Sequence, residues 1–292
     1  MKLLVTGGSG FIGRNICEQL ASKYEIVAPS HNELDIIDSS AVDTFFADKQ
    51  FDVVIHGAVK PGHRNANDLT NSFYSNARMY YNLARQSHRY QKMIVLGSGA
   101  IYDTILNLHK VSEESYRHRL PKDDHGFCKF VCARDIEKVD NVIELRLFGV
   151  FGKYEDYAIR FISNAICKTL FDLPITIKQN RKFDYLYIDD LMPILEWFLQ
   201  KEPTYKAYNV TPDHEVELYT LAEMVREISG RDLPIIVHSG GMGLEYSGDN
   251  GRLKAELGEL RFTPMKLAVE ELYQWYSDNR DKIVKDYLLV DK

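Results

Sequence analysis

The sequence predicts a doubly wound α/β fold, a parallel sheet with helices on both faces. Short apolar runs alternate with helical patterns through residue 150. The first run, Lys2-Leu3-Leu4-Val5-Thr6, reads as a buried parallel strand. Gly7, Gly10 and Gly13 follow it, and a helical spacing of Ile12, Ile16 and Leu20 begins there. Right-handed crossovers then align the strand ends, so that the glycine turn, Ala58, Ser98 and Gly149 converge on one crevice, where ligands bind in such sheets.

The elements follow in order. The first helix runs from about Phe11 to Ser22, and Tyr24 to Ala28 is the second strand. Asp38 or Ser39 caps a helix from Ser40 to Asp48. Phe51 to Gly57 is the third strand. His56 at its end reads as a packed histidine sooner than a catalytic one. A long helix spans Asn71 to His88, and Lys92 to Leu96 is a fully apolar fourth strand. Asp124 to Asp140 is a helix, and Asn141 to Leu147 the fifth strand.

After Phe151 the rhythm changes. A helix spans Tyr157 to Leu170, and Ile175 to Lys178 and Asp184 to Ile188 are short strands. Asp190 to Gln200 is a helix, and Tyr208-Asn209-Val210 returns to the sheet. Leu218 to Ser229, Leu253 to Glu256 and Lys266 to Asn279 are helical. Ser239-Gly240-Gly241-Met242-Gly243 reads as a flexible loop and candidate lid. The organisation is therefore a dinucleotide-binding domain over residues 1–152, rejoined by 184–210, and a smaller C-terminal α+β substrate domain of 153–183 and 211–292.

Composition narrows the function. The 292 residues are 45% hydrophobic and 27% charged, with a net charge of −6. This is a globular composition with no basic block, which argues against nucleic acid as a partner. An anionic substrate needs local cations instead. The four cysteines, Cys17, Cys128, Cys132 and Cys167, form no CxxC pair, so neither a metal site nor a disulfide framework is indicated. No run is long enough to span a membrane and no leader precedes the first strand, so the cytoplasm is the expected location.

The glycines point to a pyrophosphate. One permits a tight turn, one lets backbone approach the phosphates, and one lets the helix lie close on the strand, whose leading N–H groups face the ligand. The cofactor is thus NAD or NADP in a Rossmann-type domain. The second strand ends in Ala28-Pro29-Ser30-His31, with no acid there to hold an NAD ribose and Glu33 a little late. Ser30, His31 and Arg14 are donors for a 2′-phosphate, which leans the reading to NADP.

Several segments resemble the extended short-chain dehydrogenase/reductases, the NAD-dependent epimerase/dehydratase family that acts on nucleotide-activated sugars. These are Thr6 to Gly13, Phe51 to Ala58, Leu145 to Gly152 and Phe183 to Asp190. Residues 33–42 and 96–102 are similar to the GDP-fucose synthases within it. The resemblance implies that Gly7, Ser9, Gly10, Phe11, Ile12 and Gly13 take the pyrophosphate. Asp35 and Ile36 would border the adenine; Asp35 also reads as a turn residue. Ala58, Val59 and Lys60 would line the nicotinamide side, with Asn76 nearby.

The family's catalysis uses a Ser after the fourth strand and a Tyr four residues before a Lys. Ser98 takes the first place and Lys129 the last, where it would also hold the cofactor ribose. His125 stands where the Tyr belongs. A free His titrates near ~6.5. Repulsion from Lys129 at about 6 Å and an effective dielectric near ~20 is roughly 2.8 kcal/mol, or about two pKa units. His125 is therefore expected to be neutral unless Asp123 or Asp124 offsets that charge. Such an imidazole can donate a hydrogen bond to a sugar hydroxyl but is a poor acid; a solvent-facing His without a role is the other reading.

Further departures lie at the substrate side. Gly149 replaces the family's Asn, Phe183 its phosphate-binding Arg, and Ala100 a cysteine of the fucose synthases. Arg181, with Lys182 beside it, and Arg252 are substitute cations for a substrate diphosphate, against the alternatives of a solvated turn and surface salt bridges. The function implied is an NAD(P)-dependent epimerase, dehydratase or reductase of a nucleotide sugar. The alternatives are a cofactor-binding protein without turnover, as a sensor or complex subunit, and a reductase of small carbonyls. A homodimer through the two long helices is also expected, with Tyr74, Tyr80, Tyr81 and Phe130 as apolar contacts.

Overall fold

A computed structural model describes residues 1–61 and 70–290. Its strands are, in order, β1 (Lys2–Thr6), β2 (Glu25–Val27), β3 (Phe51–His56), β4 (Tyr90–Ser98), β5 (Leu108–Val111), β6 (Val142–Leu147) and β7 (Gly149–Phe151). Then come β8 (Ile175–Asn180), β9 (Lys182–Phe183), β10 (Tyr185–Tyr187), β11 (Ala207–Val210), β12 (Val216–Glu217), β13 (Ile235–Met242) and β14 (Tyr246–Gly248). Six of them make one parallel sheet in the order β11-β6-β4-β3-β1-β2. The chain leaves β1 toward β2 and then returns to β3 on the other side. That reversal opens a crevice above the ends of β1 and β3.

The sheet is a sorting of side chains by period two. Leu3, Val5, Val53, Ile55, Ile94, Leu96, Ile143 and Leu145 face one layer. There α1 (Phe11–Leu20) and the later helix α6 (Ile188–Gln200) cover them. Leu4, Val54, Met93, Val95 and Val142 face the other, under α2 (Ser39–Phe46), α3 (Ser72–Ala84) and α4 (Asp124–Ile136). Each fully buried aliphatic chain of this kind contributes about 1.5–3 kcal/mol. β11 pairs with β6, as the Tyr208-Asn209-Val210 run predicts.

Caps place the helix starts. The Asp38 carboxylate accepts from Ser40 N at 2.8 Å and Ala41 N at 3.4 Å, opening α2 one residue earlier than expected. Asp123 accepts from Gly126 N at 2.8 Å and opens α4. Two helices are shorter than their apolar patterns suggest. α3 stops at Ala84, where a 3₁₀ turn over Ser87–Arg89 redirects the chain into β4; α4 stops at Ile136.

The C-terminal half builds a second apolar cluster. It joins α5 (Phe161–Leu170), α7 (Leu218–Ser229) and α9 (Met265–Asp278) against β8. α8 (Gly251–Leu257) packs Leu253 into the sheet core instead. β5, β14, β9 and β12 form a four-stranded sheet that the periodicity does not reveal. The glycine-rich stretch Ser239–Gly243 is not a lid. Ser239 pairs with Gln179 and Met242 with Asn180, and Gly243 N donates to Asn180 O at 2.7 Å. Its amides find partners on β8, with Gly241 (φ +74°) absorbing the irregularity between them.

Candidate active site

The glycine turn packs at the limit that backbone allows. Gly7 has φ +76°, and a Cβ there would lie 2.8 Å from Ala58 backbone. A Cβ on Gly13 would lie 2.1 Å from the Gly7 carbonyl oxygen. Gly10 N donates to Gly7 O at 3.0 Å, closing the turn. Gly10 then starts α1 with no side-chain cap, so the leading amides at Phe11 and Ile12 are left for an external acceptor. This cradle fits a dinucleotide pyrophosphate.

Two loops form its walls. Ala58 N donates to Thr6 Oγ1 at 3.4 Å. Lys60 N donates to Asn76 Oδ1 at 2.8 Å, and Asn76 Nδ2 returns to Lys60 O at 3.0 Å. Asn76 therefore ties the Ala58-Val59-Lys60 wall to α3. On the other side, Asp35 accepts from Ile37 N at 2.9 Å, the work of a turn residue, and Ile36 is packed in the core. Both donors of Ser30 go to the Glu33 carboxylate, at 2.7 and 2.8 Å. Arg14 lies over the Tyr154 ring at 3.7 Å and bonds Glu18.

At the end of β4 stand Ser98 on the strand and, on α4, His125 and Lys129. Ser98 Oγ accepts from Ala100 N at 3.1 Å. Lys129 Nζ donates to Leu96 O at 3.2 Å, one turn of α4 below His125. Burial foremost, then Lys129 and Arg160, pulls His125 down to about 4 against the opposing pull of Asp123. The imidazole is thus neutral, as expected, but desolvation leads and Lys129 comes second. His56 is buried, bonded through Nδ1 to Thr6 Oγ1 at 2.9 Å, and desolvation with Lys129 takes it down to about 3. It is the packed histidine its position suggested.

Sequence reasoning missed two residues here. Tyr246 on β14 brings its hydroxyl against the turn after Ser98, where a Cβ on Gly99 would lie 2.5 Å from it, and Arg160, the residue before α5, acts electrostatically on His125, Tyr185 and Tyr246. Their strand and turn carry no motif, only a tyrosine in a short run and a cation before a helix.

The substrate-side cations separate. Arg181 Nε is buried with no hydrogen-bond partner, the guanidinium lies 4.5 Å over Phe183, and no carboxylate pairs with it among the described residues. Burial lowers its pKa, which marks an uncompensated cation. Lys182 instead pairs with Glu215 at 3.3 Å. Arg252 is a correction. It pairs with Glu114 and Glu113 and stacks 4.4 Å over Tyr205, which precedes β11 at the edge opposite the crevice. Salt bridging, not substrate, accounts for it. Gly149 is set by backbone: a Cβ there would lie 2.5 Å from Asp184 O, where β7 meets β10.

Comparison with known proteins follows this geometry. The model of the NAD dependent epimerase/dehydratase family matches residues 3–211. The chain is 25% identical to the GDP-L-colitose synthase of Yersinia pseudotuberculosis over 214 residues, covering 65% of this chain and 70% of that one. It is 20% identical to the GDP-L-fucose synthase of Escherichia coli K12 over 321 residues, covering 96% and 98%. Among solved structures, the GDP-mannoheptose C4 reductase of Campylobacter jejuni with NADP bound superposes with a TM-score of 0.82 at 18% identity, over 94% of this chain and 98% of that one.

Acid stability should expose the buried imidazole. The folded pKa of His56 lies below its unfolded value near ~6.5. Between the two, the unfolded chain binds a proton that the folded chain refuses, so stability falls as pH drops from ~6.5 toward 3. Urea unfolding of a His56→Gln variant should show a shallower fall over that window than the wild type. An unchanged slope would contradict the assignment.

Proposed function

The chain belongs to the NAD dependent epimerase/dehydratase family, and from that premise we propose that it carries out NAD(P)-dependent epimerisation, dehydration or reduction of a nucleotide-activated sugar. Supporting the reading are the glycine turn pressed against Ala58, the Ala58–Lys60 loop tied to Asn76 and Lys129 held against the end of β4, with Arg181 buried at Nε and without a hydrogen-bond partner there.

The nicotinamide, when bound, supplies the hydride donor or acceptor. The side chains do the rest. Lys129 would donate to the cofactor ribose. Ser98 orients the reacting oxygen. Neutral His125 donates a hydrogen bond to a sugar hydroxyl, and Arg181, with Arg160, receives the diphosphate. Arg181 gains most from an anion, because it has already lost its hydration without gaining a partner. The reading without turnover finds no support among the relatives, each of which is named for a reaction.

The lean to NADP rests on Ser30, His31 and Arg14. In the folded chain Glu33 holds the Ser30 donors, so a 2′-phosphate has to displace a carboxylate there. The free thiols of all four cysteines suit a reducing compartment, and we place the protein in the cytoplasm. No helix among the described residues is long and apolar enough to cross a membrane. A homodimer through α3 and α4 would cover Tyr74 and Tyr81, which are 57% and 40% exposed. Phe73, Phe127 and Phe130 stack in a row, while Tyr80 is buried and bonds Asp135 instead of offering a surface contact.

A panel of nucleotide sugars, followed by nicotinamide absorbance, tests the function: turnover is expected with at least one, and silence across the panel would refute it. Lys129→Ala should weaken dinucleotide binding by roughly tenfold or more, the value of one charge-assisted hydrogen bond, in a fluorescence titration. Removing the carboxylate with Glu33→Gln should shift preference toward NADPH by roughly tenfold, about 1.4 kcal/mol; equal affinities before and after would remove Glu33 from selection. Sedimentation equilibrium at micromolar concentration should return twice the monomer mass, and a single monomer mass would exclude the helix pairing.

A further inference from the structure

Asp103 closes the 3₁₀ turn Gly99–Tyr102, the turn that begins at Ser98, and its backbone is left-handed at φ +65°. Glycine is at home in that region. An aspartate enters it when its short side chain bonds backbone nearby. Here neither carboxylate oxygen has a hydrogen-bond partner, and the side chain is 0% exposed. Strain and lost hydration meet one compensation. Arg119 Nε lies 3.0 Å from Asp103 Oδ2, close enough for Coulomb attraction though not aligned as a hydrogen bond. It is the one ion pair of this carboxylate among the described residues. Strain kept at such a place points to a role.

The pair joins the two pieces of chain that carry Ser98 and His125. Arg119 follows the 3₁₀ turn Glu113–His118 and begins the loop into α4. Leu120, the buried Pro121 and Lys122 lead from it to Asp123, the cap of that helix. The turn and the helix start already touch. A Cβ on Gly126 would lie 2.6 Å from Ala100 O and 2.7 Å from Pro121 Cβ. Ala100 N donates to Ser98 Oγ at 3.1 Å, and Asp103 N donates to Ala100 O at 3.2 Å. One short frame therefore runs from Ser98 through its turn, across the ion pair and along the loop to His125. The contact at Gly126 sets how near the two pieces can come, and the ion pair supplies attraction between them.

We propose that Asp103 and Arg119 are a positioning pair, which draws the loop before α4 onto the turn after Ser98 and so sets where the His125 imidazole stands relative to the Ser98 hydroxyl. Neither residue touches the reacting atoms. The effect on turnover rests on the nucleotide-sugar reading of the crevice; the effect on the imidazole does not.

Asp103→Gly removes the carboxylate and suits the left-handed backbone, so it spares the fold. With a nucleotide sugar that is turned over, kcat should fall roughly tenfold, short of the hundredfold that a misplacement of about 1 Å can cost. KM should stay within about twofold, and the melting temperature should not fall. Arg119→Gln strands the buried carboxylate and should melt lower, yet adding it to Asp103→Gly should cost no further activity. Wild-type kcat in Asp103→Gly, or losses that multiply in the double variant, would overturn the proposal. A second readout needs no turnover. The imidazole nitrogen resonances of His125, assigned by their absence in His125→Phe, should shift or broaden in Asp103→Gly while those of His56 on β3 hold. Unmoved His125 resonances, or an equal change at His56, would count decisively against the pair. If the His125 resonances alone move while the wild type turns over no nucleotide sugar, the functional reading falls and the positioning role stands.

Discussion

The molecule depends on how closely its first turn presses on the exit of β3. With 2.1 Å between a hypothetical Cβ at position 13 and the Gly7 carbonyl, and 2.8 Å between one at position 7 and Ala58 backbone, no side chain fits at either place. The closeness has two consequences. It leaves the start of α1 without a cap, so amides point at whatever anion enters. It also happens at the strand reversal between β1 and β3, so the anion site and the ends of β3, β4 and β6 border the same space.

Charge at the reaction centre follows from burial. Lys129 lies near two imidazoles, and both are denied a proton chiefly because they are buried and secondarily because the lysine is there. An imidazole at position 125 therefore offers an N–H, not an acid. Arg160, which acts on His125, and Arg181, whose Nε is buried without a hydrogen-bond partner, both come from the C-terminal half. On the proposed function, the sheet end would hold the cofactor and the later segments would bring the cations for the diphosphate.

Much of this was legible because it is local. The β1 run, the glycine spacing, the cap at Asp38 and the bounds of α7 depend on residues within a few positions of one another. Ser98 and Lys129 were named on the family resemblance, which puts a serine after the fourth strand and a lysine on the following long helix. β5, β9, β12 and β14 were not legible, since each is two to four residues long and finds partners far away in the chain. The lid reading of Ser239–Gly243 failed for the same reason: glycine content speaks for freedom, but β8 supplies hydrogen bonds the local sequence does not mention. Arg252 failed because a cation after Asp249-Asn250 looks alike whether it faces a diphosphate or Glu113 and Glu114.

By itself the sequence determined the doubly wound class and the tight glycine turn after β1, because each is written in short-range spacing; the kind of chemistry came from the resemblance to the family, whose model matches residues 3–211. Tertiary structure decided the burial that lowers the pKa of His125, the solitude of Arg181 and the pairing of Arg252 with Glu113 and Glu114. These depend on dehydration and on contacts as far apart in the chain as Glu114 and Arg252. Burial and long-range pairing are properties of the packed chain, and no window of sequence contains them.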